Sequence, residues 1–192
     1  MWNHYLVARP KLVLVAGIPG SGKTTLASLI GERLPAPTIF KDAIKEGIAL
    51  TEGVRATYGG PIAGRTFAAF YAAIDALVAQ GCTVVAESAF HRDWFAKESV
   101  RFKDHADLRL IVCSEPTRVA YQRYRSRAEQ GGVRRLAHPD ATVLKEMLEG
   151  SFPWDAYDLG DTELSTLVVN TDSGYRPAIE DILGFISDPS AS

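Results

Sequence analysis

The sequence predicts an α/β fold: three layers, α/β/α, built around a five-stranded, mainly parallel sheet. Three observations carry this expectation. Five short apolar, β-branched runs recur along the 192 residues. Amphipathic segments with helical spacing separate them. Four of the five runs are continuous rather than alternating, as expected for strands covered on both faces.

The elements follow in order. Lys11–Ala16 (KLVLVA) reads as the first strand. The next segment places Leu26, Leu29, Ile30 and Leu34 on one helical face. Thr38–Phe40 reads as a short second strand. Thr51–Arg65 is polar and glycine-rich and reads as a loop. Phe67, Phe70, Tyr71, Ile74, Leu77 and Val78 form the apolar stripe of a further helix. Thr83–Ala86 and Leu108–Cys113 are the third and fourth strands. An arginine-rich helical stretch follows, then a basic, glycine-containing loop, Gln130–Asp140. His138-Pro139 ends that loop, and Asp140 reads as the cap of a helix that packs Val143, Leu144, Met147 and Leu148 inward. Thr166–Asn170 is the last strand, and Ile179, Ile182, Leu183 and Ile186 form the last amphipathic face. No repeat, low-complexity tract or linker interrupts the pattern. Residues 1–192 therefore read as one domain, with an arginine-rich lid over about 115–140.

Bulk properties narrow the function. Net charge is −2, from 21 basic and 23 acidic residues. That is no footprint for bulk nucleic acid or an anionic membrane. Cys82 and Cys113 form no CxxC or Cys/His cluster and read as small, reduced, buried residues rather than zinc ligands. The apolar run Leu12–Ile18 is too short to span a bilayer and runs on into a glycine loop, so it does not read as a signal peptide. The expected location is cytoplasmic.

The loop is the most informative stretch. Gly17-Ile-Pro-Gly-Ser-Gly-Lys23-Thr24 matches G-x-x-x-x-G-K-[ST] without a mismatch. Four fixed positions coincide by chance in roughly 1% of chains of this length. The preceding strand and following helix are the context that the motif requires. In that reading, Gly17, Pro19, Gly20, Ser21, Gly22, Thr24 and Thr25 belong to a cradle for a nucleoside triphosphate, with ATP as the expected nucleotide. Glycines let backbone N–H groups converge on phosphate oxygens. Lys23 would reach the β- and γ-phosphates, and Thr24 would hold Mg²⁺.

Other acids and arginines suggest what happens to the nucleotide. Asp42 follows the second strand. It is placed to accept the proton of an attacking hydroxyl, or to cap a helix beginning at Ala43. Glu87 closes the apolar run TVVAE, where it would hold Mg²⁺ through water or stand solvated at the strand end. Ser88 would assist or cap the next helix. His91 and Arg92 follow at that helix start, His91 as a surface or substrate residue. At 100° per residue, Arg123 and Arg127 share a side with Val119, Ala120 and Tyr124, whereas Arg118 and Arg125 point away. The inward pair needs an anion, which a triphosphate supplies. Arg134 and Arg135 in the following loop would swing over the phosphates, contact acceptor or lie on the surface. An acceptor pocket is expected from Thr51–Arg65, Phe67, Tyr71 and the Ser88–Arg92 turn. Tyr58, Phe67, Phe70 and Tyr71 would stack on a planar ligand, although core packing explains the last three equally well. Phe152–Asp155 (FPWD) reads as packing, or as a lid anchor.

Together the stretches GIPGSGKTT, KDAIK, VVAES, EPTRVAYQRYRSR and TLVVNTDSGY resemble P-loop kinases of the polynucleotide kinase, zeta toxin and chloramphenicol phosphotransferase group. The resemblance covers most of the chain. It implies a kinase-like P-loop NTPase fold, with Asp42 as general base and Arg123 and Arg127 flanking the triphosphate. It also implies that Asn170, Thr171 and Asp172 border the adenine. One departure concerns the acceptor. Polynucleotide kinases show D-x-x-R after the second strand, whereas this chain has Asp42-x-x-Lys45. Lysine makes no planar bidentate contact to an acceptor phosphate. The leading expectation is an ATP-dependent kinase acting on a hydroxyl of a small molecule. The alternatives are a polynucleotide 5′-hydroxyl or nucleotide-sugar kinase, and an ATP-hydrolysing switch. Asp42 argues against the switch, which needs no base for an alcohol. Oligomeric state is not legible.

Overall fold

A computed structural model describes residues 9–53, 55–57 and 60–188. Five strands form one sheet: β1 (Lys11–Gly17), β2 (Thr38–Phe40), β3 (Val84–Glu87), β4 (Asp107–Ser114) and β5 (Ser165–Asn170). Their spatial order is β2-β3-β1-β4-β5, and every neighbouring pair is parallel. All five lie where the sequence pattern puts them. The helices are α1 (Lys23–Arg33), α2 (Lys41–Glu52), α3 (Pro61–Val78), α4 (Arg92–Val100), α5 (Thr117–Glu129), α6 (Arg134–Ala137), α7 (Asp140–Glu149) and α8 (Ile179–Ser187). A single 3₁₀ turn covers Trp154–Tyr157. Among the described residues no helix is long and apolar enough to cross a membrane.

The period-2 alternation of β1 divides the core in two. Leu12, Leu14 and Ala16 face one layer, packing with Phe70 and Ile74 of α3 and Phe95 of α4. Val13 and Val15 face the other, with Leu26 and Ile30 of α1 and Ile182 and Ile186 of α8. Burying a side chain such as Phe70 or Ile74 contributes about 1.5–3 kcal/mol, and both are fully buried. Because β1 is covered on both faces, its apolar run is continuous. Its position between β3 and β4 brings Gly17, Glu87 and Ser114 to one edge. In the register, Glu87 lies beside both Val15 of β1 and Phe40 of β2. Parallel α/β sheets bind ligands at this carboxyl edge.

Several local expectations change. Asp42 is not an N-cap: α2 starts at Lys41, two residues before the expected Ala43, Phe40 occupies the cap position, and Asp42 lies in the first turn. Asp140 does not cap α7 either. Pro139 precedes the helix, and Oδ1 of Asp140 accepts hydrogen bonds from Tyr124 (2.6 Å) and Arg134 (2.8 Å). At Asp140 the carboxylate serves a tertiary contact instead of its own helix. Helix takes both ends of the expected loop 51–65, since α2 runs to Glu52 and α3 begins at Pro61. Leu148 is 75% exposed rather than packed, because α7 buries only the stripe of Val143 and Met147. Phe70 and Tyr71 belong to the core, and Tyr58 lies outside the described residues. Both cysteines are free; burial pushes the Cys113 thiol up to about 12.

Candidate active site

The loop between β1 and α1 turns through backbone conformations that side chains disfavour. Gly20 has φ +91°, and a Cβ there would lie 2.1 Å from the Ala120 carbonyl oxygen of α5. Gly22 is the left-handed N-cap of α1, with φ 80°. It supplies no side-chain cap, and α1 has no acid in its first turn. The first N–H groups of α1 are therefore left for an anion, which the helix dipole also favours. Gly20→Ala is expected to destabilise the loop and abolish nucleotide binding, because strain and a backbone clash coincide. A thermal melt together with nucleotide titration checks this; unchanged nucleotide affinity would contradict the loop geometry.

Lys23 begins α1 and is buried. Its Nζ donates to the Ile18 carbonyl at 3.3 Å and lies 3.8 Å from the Glu87 carboxylate. Thr24 and Thr25 are exposed on the following turn. Glu87 is 3% exposed at the end of β3. Burial raises its pKa, opposed by Lys23, Lys41 and Arg127. Asp42 stands opposite on α2. Burial works to raise its carboxyl, but Lys41, His138, Lys23 and Lys45 outweigh it and hold the group far below the usual carboxylate range. It is therefore ionised at neutral pH. Lys41 pays the reciprocal desolvation: burial lowers its pKa, with Asp42 opposing and Lys23 reinforcing.

The helix α5 presents the two arginine faces as the spacing predicts. Arg118 and Arg125 are exposed, and Arg125 pairs with Glu129 at 3.5 Å on the surface. Arg123 donates to the carbonyls of Thr171 and Asp172, both at 2.8 Å. Its Nη1 also lies 3.6 Å from where Gly22 would carry a Cβ, so it borders the glycine loop. Thr171 closes the same corner: its hydroxyl donates to the Ser21 carbonyl at 2.7 Å and meets Glu115 at 3.1 Å. Arg127 stacks over the Tyr124 ring with 5.6 Å to the centroid. Its buried Nε has no hydrogen-bond partner, and the same is true of the Ser21 and Ser88 hydroxyls. Buried polar atoms without partners are costly, and three of them surround the phosphate loop and Glu87.

A cavity of about 440 Å³ is lined by Pro19, Lys23, Asp42 and Arg127, while Glu87, Arg123 and Thr171 stand outside its lining. It also reaches Arg134 and His138, but not Arg135. His138 Nε2 lies 3.0 Å from Glu46 of α2, and the Leu136 carbonyl accepts from the Ala56 backbone at 2.7 Å. The arginine-bearing segment is thereby docked on the element that carries Asp42. The expected acceptor region lines the cavity only in part, through Thr57, Ala63, Gly64, Phe67, Ala89 and His91. Tyr71 does not. Lys41, Trp94 and the docking pair Glu46–His138 escape the sequence reading. A signal existed for Lys41: a cation in the first turn of a helix opposes the dipole, so its place there calls for another reason.

Among the described residues no three His, Cys, Asp or Glu side chains converge into a metal cage. A cation here would rest on phosphates, water and one or two protein oxygens, the habit of Mg²⁺. Thr24 and Glu87 fit that role.

Comparison with known proteins agrees with this architecture. A solved structure from Chloroflexus aurantiacus j-10-fl, named as a candidate kinase, has a TM-score of 0.73 at 22% identity, covering 93% of this chain and 97% of that one. A sugar kinase from Janibacter sp. HTCC2649 has a TM-score of 0.62 at 15% identity, over 96% and 98% of the two chains. A gluconokinase from Sinorhizobium meliloti 1021 has a TM-score of 0.55 at 21% identity, over 94% and 93%. The fold is thus that of the P-loop kinases. No curated protein matches the chain. A family profile described as an AAA domain matches residues 12–152, from β1 through α7. By that match, which holds the phosphate loop, Asp42, Glu87 and the arginine helix within one continuous region, the chain belongs to the AAA domain family.

Proposed function

We propose that this protein is an ATP-dependent kinase that transfers the γ-phosphoryl group to a hydroxyl of a small molecule. The carrying observation is that a single cavity is lined by the phosphate-loop Lys23 and by the ionised Asp42. The same cavity is lined by Thr57, Phe67, His91 and Trp94, which in this reading meet the acceptor. The solved structures named as sugar kinase and gluconokinase support a small-molecule acceptor.

In this reading Lys23 and Arg127 neutralise the transferred group, and Arg123 holds the 171–172 corner against the nucleotide. Asp42 orients the acceptor hydroxyl and takes its proton as the new O–P bond forms. The bond from the γ-phosphorus to the bridging oxygen breaks, and ADP leaves with its electron pair. Mg²⁺, held by Thr24 and Glu87, would supply further charge neutralisation at the phosphates. Residues 115–140 serve as the lid that brings Arg127 and Arg134 over the site and excludes water as a competing acceptor.

Asp42→Asn tests the assignment. It keeps the side-chain shape but removes the base. Transfer is expected to fall about 10²–10⁴-fold, with ATP affinity by calorimetry retained within a few-fold. An unchanged turnover rate would remove Asp42 from the mechanism.

A further inference from the structure

A carboxylate held as far below its usual range as Asp42 is a weak base. It can orient a hydroxyl, but a proton that it takes does not stay on it at neutral pH. Effective proton acceptors titrate near the operating pH. An ammonium or a guanidinium offers no lone pair, which sets aside the lysines and arginines of the lining. Two imidazoles line the same cavity as Asp42, His91 and His138.

Their surroundings differ. His91 occupies the cap position of α4, its ring edge-on to Tyr157 with centroids 4.5 Å apart. The charges that act on it are Lys41 and Asp93. His138 is 8% exposed and faces Asp42, Lys45 and Glu46 of α2 together with Arg134 of α6. Of these charges, Asp42 acts on it most strongly. Its Nε2 lies 3.0 Å from a carboxylate oxygen of Glu46. With a carboxylate as partner, Nε2 carries the hydrogen and donates it, so Nδ1 keeps its lone pair. A carboxylate that orients an imidazole in this way is a recurring means of building a base.

The fold holds the ring in place from both sides. The His138 backbone N–H donates to the Arg134 carbonyl at 2.8 Å, and Ala137 is buried with Ala49, Ala56 and Ile62. The Glu46 side chain is 33% exposed, so the pair leads from the cavity to solvent. Burial lowers the His138 pKa; Asp42 and Glu46 oppose this, and Arg134 and Lys45 reinforce it. The ring is therefore neutral at neutral pH, the state that accepts a proton.

We propose that His138 is the final proton acceptor of the site, receiving at Nδ1 the proton that Asp42 takes from the attacking hydroxyl, with Glu46 holding the ring and passing the proton to solvent. The O–H bond breaks as the new O–P bond forms. Asp42 ends as a carboxylate, and the imidazolium, stabilised by Glu46, loses one proton to water and is neutral again. One proton is released for each ADP. The inference rests on the kinase reading for the source of the proton, but the pairing of His138 with Asp42 and Glu46 is measurable without turnover.

His138→Gln keeps an amide donor for Glu46 and removes the titrating ring. ADP release from MgATP by the full chain is followed between about pH 5 and pH 8, with water and then glycerol as acceptor. Wild-type turnover is expected to fall on acidification as His138 becomes protonated. That fall should be absent from His138→Gln, whose kcat should be lower by about tenfold or more while its affinity for ATP is retained. In His138→Ala, added imidazoles should restore turnover in the order of their basicity, which a ring needed only for docking would not produce. NMR of labelled histidine should show the Nε2–H tautomer of His138. Asp42→Asn should lower its pKa by about half a pH unit or more, because a facing negative charge is lost. An acid limb that survives in His138→Gln overturns the inference and leaves the kinase reading standing; so does an Nδ1–H tautomer. The expected tautomer and Asp42 coupling in a chain that neither binds ATP nor releases ADP uphold the proton-accepting pair and overturn the kinase reading alone.

Discussion

Lys23→Ala is expected to abolish phosphoryl transfer, lowering turnover by at least about 10³-fold. The ammonium sits at the start of α1 beneath the glycine loop, 3.8 Å from Glu87. No other lining cation stands on the phosphate loop itself. Its charge is the one fixed closest to the phosphates as negative charge moves toward the bridging oxygen. The substitution also removes the nearest counter-charge of a buried carboxylate, so its effect on stability depends on pH. Burial already raises the Glu87 pKa in the folded protein, with Lys23 the strongest opposing influence. Without Lys23 the folded pKa rises further. A group with a raised folded pKa contributes most below its unfolded value, and that contribution is lost as pH rises through the folded one. The melting deficit of Lys23→Ala relative to wild type should therefore shrink on acidification toward the ordinary carboxylate range and grow above it. Melts across pH, paired with an ADP-release assay, separate the catalytic loss from the folding effect. A folded Lys23→Ala protein turning over at the wild-type rate would end the phosphate-loop assignment.

Arg127→Ala carries the second large effect. Arginines that stabilise phosphoryl transfer contribute about 10³–10⁵ in rate, equivalent to about 4–7 kcal/mol of barrier. Arg127 lines the cavity, and its Nε is buried without a partner. That is the state expected of a side chain whose partner is the substrate. Arg123 is different, since it already donates to the carbonyls of Thr171 and Asp172. Arg123→Ala should weaken nucleotide affinity as well as rate, because it loosens the corner beside Gly22. Arg118→Ala and Arg125→Ala remove solvated side chains and should change stability by less than about 0.5 kcal/mol, with turnover unchanged. Single mutants assayed at saturating nucleotide and acceptor, with melts as controls, measure the contrast. Equal losses on both faces of α5 would contradict the orientation of the helix.

Local pattern was sufficient for much of this protein. The five strands, the phosphate loop and the phase of α5 are legible because each depends on residues within a few positions of one another. A period of two or of 3.6 determines which side chains turn inward, and a glycine loop between strand and helix carries its anion chemistry in its own backbone. The exposed pair Arg118 and Arg125, and the inward pair Arg123 and Arg127, were separable on spacing alone.

What the tertiary structure decided is where distant segments meet. Asp42 reads locally as a base or a cap, and the structure removes the cap, since α2 starts at Lys41 and Asp42 lines the cavity with Lys23, Lys41 and Lys45. Asp140 likewise leaves its own helix to bind Tyr124 and Arg134. Arg134 and Arg135 are chemically identical neighbours, and only the path of the chain from α5 to α7 turns the first toward the site. His138 and Glu46 are 92 residues apart in sequence and 3.0 Å apart in space. Phe67 and Trp94, on different helices, become one stacked wall. No local period encodes such meetings. They follow from the strand order β2-β3-β1-β4-β5, which is set by burying both faces of the sheet at once and which brings the loops after β1, β2 and β3 to a common edge.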